Sequence, residues 1–191
     1  MTNNVPRGTL FKQNKPMANK EKLIKSIRNI PNFPIEGIQF KDLTTLFKKP
    51  EYLQLLSEMM YETYADKGIT KIVAIESRGF IMAPILATRL NAGFVPIRKP
   101  GKLPAETIET TYSKEYGTDS IQIHKDAIDN SDVVLLHDDL LATGGTMKAA
   151  YELVKRLNPK SIRINFIIEL QELKGRSVFD KDISIDSILT M

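Results

Sequence analysis

Two adjacent carboxylates, Asp138 and Asp139, follow the apolar run Val133-Val134-Leu135-Leu136 and precede the small-residue stretch Ala142-Thr143-Gly144-Gly145-Thr146. The apolar run, bounded upstream by Asp129-Asn130-Ser131-Asp132, reads as a strand buried on both faces of a parallel sheet. A helical pattern from Met147 to Leu157 comes after the small residues. A glycine-containing loop at a helix start gathers unpaired backbone N–H groups at the positive end of the helix dipole, and such a place holds a phosphate. Thr143 and Thr146 add hydroxyl donors, while Gly144 and Gly145 let the backbone approach an anion without a Cβ in the way. The acid pair cannot bind that same phosphate. It suits sugar hydroxyls, or Mg²⁺ with its hard oxygen ligands. A phosphorylated ribose satisfies both ends of the loop. Neither a Walker loop (Gly-x-x-x-x-Gly-Lys-Ser/Thr) nor a dinucleotide fingerprint (Gly-x-Gly-x-x-Gly) occurs in the chain.

A second strand–loop–helix junction joins Lys71-Ile72-Val73-Ala74-Ile75 to Glu76-Ser77-Arg78-Gly79 and then to a helical pattern from Phe80 to Leu90. Alone, Arg78 reads as a surface cation; beside another anion loop it becomes a candidate phosphate ligand. Phe94 to Arg98 is the next strand, and Arg98, Lys99 and Lys102 at its carboxyl end could neutralise a polyphosphate. Residues 99–120 show no clear period and are rich in Gly, Pro, Thr, Tyr and charge, as expected of an active-site lid.

Elements must hold these loops in place. Asn19 is a candidate cap for a helix carrying Leu23, Ile24, Ile27 and Ile30 on one face, ended by Pro31-Asn32-Phe33-Pro34. Pro50 opens a second helix whose Leu53, Leu56, Met60 and Tyr64 recur at core-packing spacing. Ser161 to Ile168 is expected to be the last major strand. Strands alternating with helices predict an α/β fold, a central parallel sheet flanked by helices with right-handed crossovers. The loops after strands 71–75 and 133–137 would then share one edge of the sheet.

The 191 residues suffice for one domain, assigned here to 19–191, with residues 1–18 read as a disordered tail or leader. Without cysteine there is no disulfide or thiolate metal site. No apolar run approaches the ~20 residues of a membrane span, and no secretory signal is visible, so the cytoplasm is expected and a membrane is not. The net charge of +4 is spread along the chain. No helix-turn-helix, zinc-finger or RNA-recognition signature accompanies it, so nucleic acid is not expected as a partner.

The stretch from Val133 to Thr146 resembles the 5-phosphoribosyl-1-pyrophosphate (PRPP) motif of type I phosphoribosyltransferases. Phe33 to Asp42 is similar to the base-binding segment Phe-Pro-x-x-Gly-Ile-x-Phe-Lys/Arg-Asp of adenine phosphoribosyltransferases, and Arg98 to Pro104 with Tyr112 to Thr118 matches their flexible loop. Glu169 to Arg176 resembles their Glu-Leu-x-x-Leu-Lys-Gly-Arg segment. Four motifs in order cover about residues 19–180.

The resemblance implies the type I phosphoribosyltransferase fold, with a small hood (33–47 plus part of the C-terminal end) and a flexible lid (99–120). It implies transfer of phosphoribose from PRPP to adenine, giving AMP and pyrophosphate in purine salvage, with Mg²⁺ carried mainly by PRPP near Asp138 and Asp139. Homodimers are usual in the family. Ala142 to Thr146 would anchor the 5-phosphate, Asp138 and Asp139 the ribose, and Glu76, Ser77 and Arg78 the pyrophosphate, joined by Arg98, Lys99 and Lys102. A cis peptide is implied between Glu76 and Ser77. Phe40 and Leu170 would sandwich adenine while backbone groups of Ile38 to Lys41 read its edge. Glu115 would act as general acid or base, with Tyr116 beside it as gate. Gln39, Lys41 and His137 depart from the commonest family residues. For His137 the choice lies between a neutral strand-end histidine and a group that tunes the acids near neutral pH. A transferase for xanthine or hypoxanthine would use the same PRPP loop. A PRPP-sensing regulator would not need a complete lid with Glu115.

Overall fold

The computed structural model describes residues 16–113 and 117–191, in two compact units that divide after Leu55. The first unit begins with helix α1 (Pro16–Ser26), so Pro16 to Ala18 are helical and Asn19 lies inside the helix instead of capping it. Residues 1–15 of the expected tail lie outside the described residues. The helix also stops earlier than its apolar pattern predicts. Ile30 belongs to strand β1 (Arg28–Pro31), which pairs antiparallel with β2 (Gln39–Asp42). Arg28 reaches across that pair to Asp42, with Nε donating at 3.0 Å, and Ser26 Oγ donates back to the Leu23 carbonyl. The pairing of Arg28 with Asp42 outweighs the helical periodicity. The connection from β1 to β2 contains a cis Phe33–Pro34 peptide, and Gly37, at φ +88°, donates its N–H to Asn32 Oδ1. A short α2 (Thr44–Phe47) follows, and α3 (Pro50–Tyr64) begins in this unit.

The second unit is built on a five-stranded, all-parallel sheet. Its strands are β3 (Lys71–Ile75), β4 (Gly93–Ile97), β7 (Val133–Leu141), β8 (Ser161–Glu169) and β9 (Ile185–Thr190), in the order β4-β3-β7-β8-β9. The central strands are rich in Val, Ile and Leu because both faces are covered. On one face, Val73, Ile75, Val134, Leu136, Ile164 and Phe166 join Met147, Ala150, Leu153 and Val154 of α5 (Gly145–Lys155) in a core cluster. Alternation sends Ile72, Ala74, Leu135 and His137, all buried, to the other face. Helix α4 (Ala83–Leu90) connects β3 to β4, and α5 connects β7 to β8. From neighbouring strands the chain thus winds outward in opposite directions, which makes the gap between the carboxyl ends of β3 and β7 a topological switch point, the usual ligand crevice of an open α/β sheet.

Three sequence expectations are corrected. The stretch 99–120 is not without structure: β5 (Thr107–Ser113) and β6 (Thr118–His124) form an antiparallel hairpin. Its Thr, Ile and Tyr residues favour an extended chain, and Ile121 and Ile123 of β6 join the core cluster. Ser161 to Ile168 is not the last major strand, since β9 pairs with β8 beyond it. The C-terminal segment falls within this second unit. The helix expected to start at Phe80 starts at Ala83, after a 3₁₀ turn over Arg78–Phe80.

Candidate active site

Strand β7 runs on through the acid pair to Leu141, so Asp138 and Asp139 sit inside the strand's carboxyl end. Alternation puts their side chains on opposite faces. Asp139 shares its face with His137 and is 2% exposed, while Asp138 Oδ1 accepts the Asp139 N–H at 2.9 Å.

The 3₁₀ turn after β3 brings Arg78 to this pair. Its Nε lies 3.0 Å from Asp139 Oδ2, an ion pair. Gly79 packs so closely that a Cβ there would stand 3.1 Å from both Asp138 Oδ1 and the His137 carbonyl. Burial pushes the Asp138 carboxyl well up, and the Asp139 charge pushes it further; burial also raises Asp139, with Arg78 opposing. A buried and a half-buried carboxyl with one nearby cation form a site where added positive charge is favourable.

The Glu76–Ser77 peptide is cis, as the resemblance implies. Glu76 does not stand open to solvent. Arg98 grips it with two donors, Nε at 3.2 Å and Nη2 at 3.1 Å, and the Lys99 N–H donates to it at 3.1 Å. These bonds hold the Glu76 carboxyl below its ordinary range. The remaining Arg98 donor, Nη1, goes to the Lys102 carbonyl. Lys99 Nζ lies 3.5 Å from Asp119, and Lys99 and Lys102 are both exposed.

Beyond β7, the chain turns through Ala142, Thr143 and Gly144 into α5. Gly144 has φ +87°, and a Cβ there would collide with the Gly175 carbonyl and the Val178 side chain. A Cβ on Gly175 would collide with the Ala142 carbonyl. Two glycines therefore let the 3₁₀ segment Gly175–Val178 back the loop at backbone distance. Arg176 fixes that segment by donating Nε and Nη2 to Glu169 at 2.8 and 2.7 Å. The first bond within α5 runs from Lys148 N–H to the Gly144 carbonyl, so the N–H groups of Gly145, Thr146 and Met147 have no intrahelical acceptor. Thr143 is exposed and Thr146 half-buried beside them. The loop is shaped for a small anion.

His137 is fully buried, and its Nδ1 lies 2.8 Å from Asn165 Oδ1. Burial drops its pKa to about 4, so it is neutral around pH 7, which agrees with the neutral strand-end histidine of the two sequence readings. The lateral row Ala74, His137, Asn165, Asp186 crosses four strands in register.

In the first unit, Phe40 is half-buried and meets the Phe33 ring edge to face at 5.1 Å. Ile38 is exposed. Asn29 lies opposite Lys41, donates to Gln39 Oε1 and accepts from Lys41 Nζ. Alternation thus puts the Gln39 and Lys41 side chains on the face opposite Phe40. Leu170, of the second unit, is buried just past β8. Glu115 and Tyr116 lie outside the described residues. Sequence reading brought out the acids, both loops and Arg78. It did not find Gly175 as the backing of the loop, Asn165 as the partner of His137, or Gln122, whose contacts appear only when β6 is placed.

Comparison with known proteins agrees with this geometry. Residues 42–189 match the phosphoribosyl transferase domain family. The chain is 72% identical over 175 residues to an adenine phosphoribosyltransferase of Bacteroides thetaiotaomicron, covering 92% of this chain and 99% of the relative. It is 56% identical over 154 residues to one from Halothermothrix orenii, covering 81% and 91%. Among solved structures, the adenine phosphoribosyltransferase of Rhodothermus marinus superposes with a TM-score of 0.86 at 46% identity, covering 92% of this chain and 99% of that one. The Saccharomyces cerevisiae enzyme, complexed with an imino-altritol bisphosphate and adenine, gives 0.84 at 41% identity, covering 91% and 99%.

Proposed function

The chain belongs to the phosphoribosyltransferase family, and we propose from that premise how its crevice works as an adenine phosphoribosyltransferase. The reaction transfers the phosphoribosyl group of PRPP to adenine, giving AMP and pyrophosphate. The observation that carries the reading is the meeting of Arg78 with the acid pair at the switch point, immediately before the anion-shaped loop.

In this reading the N–H groups and hydroxyls of Ala142, Thr143, Gly144, Gly145 and Thr146 hold the 5-phosphate. That remote binding energy orients the anomeric carbon. Asp138 and Asp139 fix the ribose hydroxyls and stand by as the ribose–pyrophosphate bond loosens and the sugar becomes cationic. Ser77, Arg78, Arg98, Lys99 and Lys102 surround the departing pyrophosphate, where fixed positive charge lowers the barrier, and Glu76 takes part through its hold on Arg98 and the Lys99 N–H. Adenine attacks through a ring nitrogen on the opposite face of the sugar. Its contacts with Ile38, Phe40, Lys41 and Leu170, and proton handling by Glu115 with Tyr116 as gate, rest on the resemblance.

Mg²⁺ is part of the proposal. Among the described residues no three carboxylate or histidine side chains group closely enough to hold a metal alone. Asp138 and Asp139 fit an ion that arrives on the substrate's phosphates, since Mg²⁺ is commonly held by one or two carboxylates plus phosphate. When bound it would neutralise the pyrophosphate oxygens. A homodimer in the cytoplasm completes the proposal. Among the described residues no helix is long and apolar enough to cross a membrane.

The test is to mix the protein, Mg²⁺ and PRPP with adenine, hypoxanthine or xanthine and look for nucleotide. AMP from adenine with equimolar pyrophosphate is expected. Preference for an oxopurine would replace the base assignment, and no nucleotide from any base would remove the activity. For Glu115, Glu115→Gln is expected to lower turnover far more than PRPP affinity, and unchanged turnover would remove its role.

A further inference from the structure

Lys99-Pro100-Gly101-Lys102 forms a tight turn. The Lys102 N–H donates to the Lys99 carbonyl at 3.2 Å, and Gly101 has φ +75°. Proline in the second position and a positive-φ glycine in the third are what a type II turn requires. The turn therefore carries a lysine at each end, and whatever fixes the turn fixes where the two lysines start.

Gln122 of β6 fixes it. Its main chain exchanges two hydrogen bonds with Arg98, Arg98 N–H to the Gln122 carbonyl at 3.0 Å and Gln122 N–H to the Arg98 carbonyl at 2.7 Å. Its side chain reaches both ways. Oε1 accepts the Gly101 N–H at 3.2 Å, and Nε2 donates to Glu109 Oε2 at 2.7 Å. Glu109 lies directly opposite on β5. An amide satisfies both neighbours in one orientation only, oxygen toward the N–H and nitrogen toward the carboxylate. The hairpin beyond the turn is in this way bonded back to the turn's centre. Arg98 and Glu76 hold the same turn from the other side through the Lys102 carbonyl and the Lys99 N–H.

We infer that Gln122 is a positioning residue for the reaction: through the Gly101 N–H it sets the turn that presents Lys99 and Lys102 to the pyrophosphate of PRPP. It does not touch substrate itself. The inference rests on the reading that these lysines meet pyrophosphate. Adenine binding is not routed through Gln122, so its loss raises the KM for PRPP and leaves that for adenine unchanged.

The test is steady-state kinetics with each substrate varied, on the full-length chain, alongside the thermal midpoint of every variant. Gln122→Leu removes both side-chain bonds and is expected to raise the PRPP KM roughly three- to ten-fold, the usual scale for one lost hydrogen bond. Glu109→Ala keeps the Gly101 contact and is expected to stay within about two-fold of wild type, a fraction of one hydrogen bond. The swap Gln122→Glu with Glu109→Gln keeps an acceptor for Gly101 and reverses the amide–carboxylate pair, so it restores the PRPP KM. An unchanged PRPP KM in Gln122→Leu overturns the inference. So does a parallel rise in both KM values, or a swap no better than Gln122→Leu. If Gln122→Leu does not fold, Gln122→Ala takes its place and is read the same way: a raised PRPP KM with an unchanged adenine KM supports the inference, and an unchanged PRPP KM overturns it. Absence of AMP formation by the wild type would instead remove the activity on which the inference rests.

Discussion

Arg78 and Asp139 approach to 3.0 Å at the carboxyl ends of two adjacent parallel strands, which makes a carboxylate within β7 the counter-charge of the cation in the turn after β3. Burial and mutual repulsion raise Asp138 and burial raises Asp139, so holding both carboxylates charged at once costs the fold stability.

Two variants at this site should move stability in opposite directions while both impair activity. Asp138→Asn removes a half-buried carboxyl that is costly to ionise and retains the oxygen that accepts the Asp139 N–H, so its thermal midpoint is expected to equal or exceed wild type. Arg78→Ala leaves Asp139 buried without its cation and should cost about 1–2 kcal/mol. Urea denaturation at pH 7, paired with PRPP kinetics, measures both. A marked loss of stability in Asp138→Asn would mean the acid pair holds the fold together instead of burdening it.

His137 gives a pH prediction with a definite sign. In the fold its pKa is about 4, against 6.5 ordinarily, because burial disfavours the cation. Between those values the unfolded chain binds more protons, so stability falls as pH drops through this window. The full loss is roughly 3 kcal/mol. His137→Gln keeps a partner for Asn165 and should flatten this part of the stability curve. Its rate profile between about pH 6 and 8 should match wild type, since the folded histidine does not titrate there. A profile that shifts with the substitution would return His137 to the chemistry.

Gly144 tests the loop itself. In Gly144→Ala the new methyl meets the Gly175 carbonyl and Val178, at a φ that disfavours any side chain. Destabilisation of about 2 kcal/mol or more is expected, with PRPP affinity falling alongside. Urea unfolding and PRPP titration check it, and a variant with wild-type affinity would argue that the loop does not hold the phosphate.

Much of this site is written locally in the chain, which is why the sequence alone points to it. Strand, acids, glycines and helix succeed one another within Val133 to Lys155, and the Arg78 loop is equally compact. What stayed hidden depends on distant pairing. Thr107 to Ser113 reads as polar and irregular until Ile108 is set against Ile123. The helical stripe through Ile27 and Ile30 fails because Arg28 is claimed by Asp42, fourteen residues away. Gly175 backs Gly144 from thirty-one residues on, and Gln122 reaches Gly101 from twenty-one away. No periodicity encodes such contacts.

A crystal structure of the protein with PRPP and Mg²⁺ tests the central claim most directly. The 5-phosphate should lie on the loop from Ala142 to Thr146, with the ribose hydroxyls at Asp138 and Asp139 and the pyrophosphate against Arg78. A 5-phosphate bound elsewhere, or a pyrophosphate out of reach of Arg78, would contradict it.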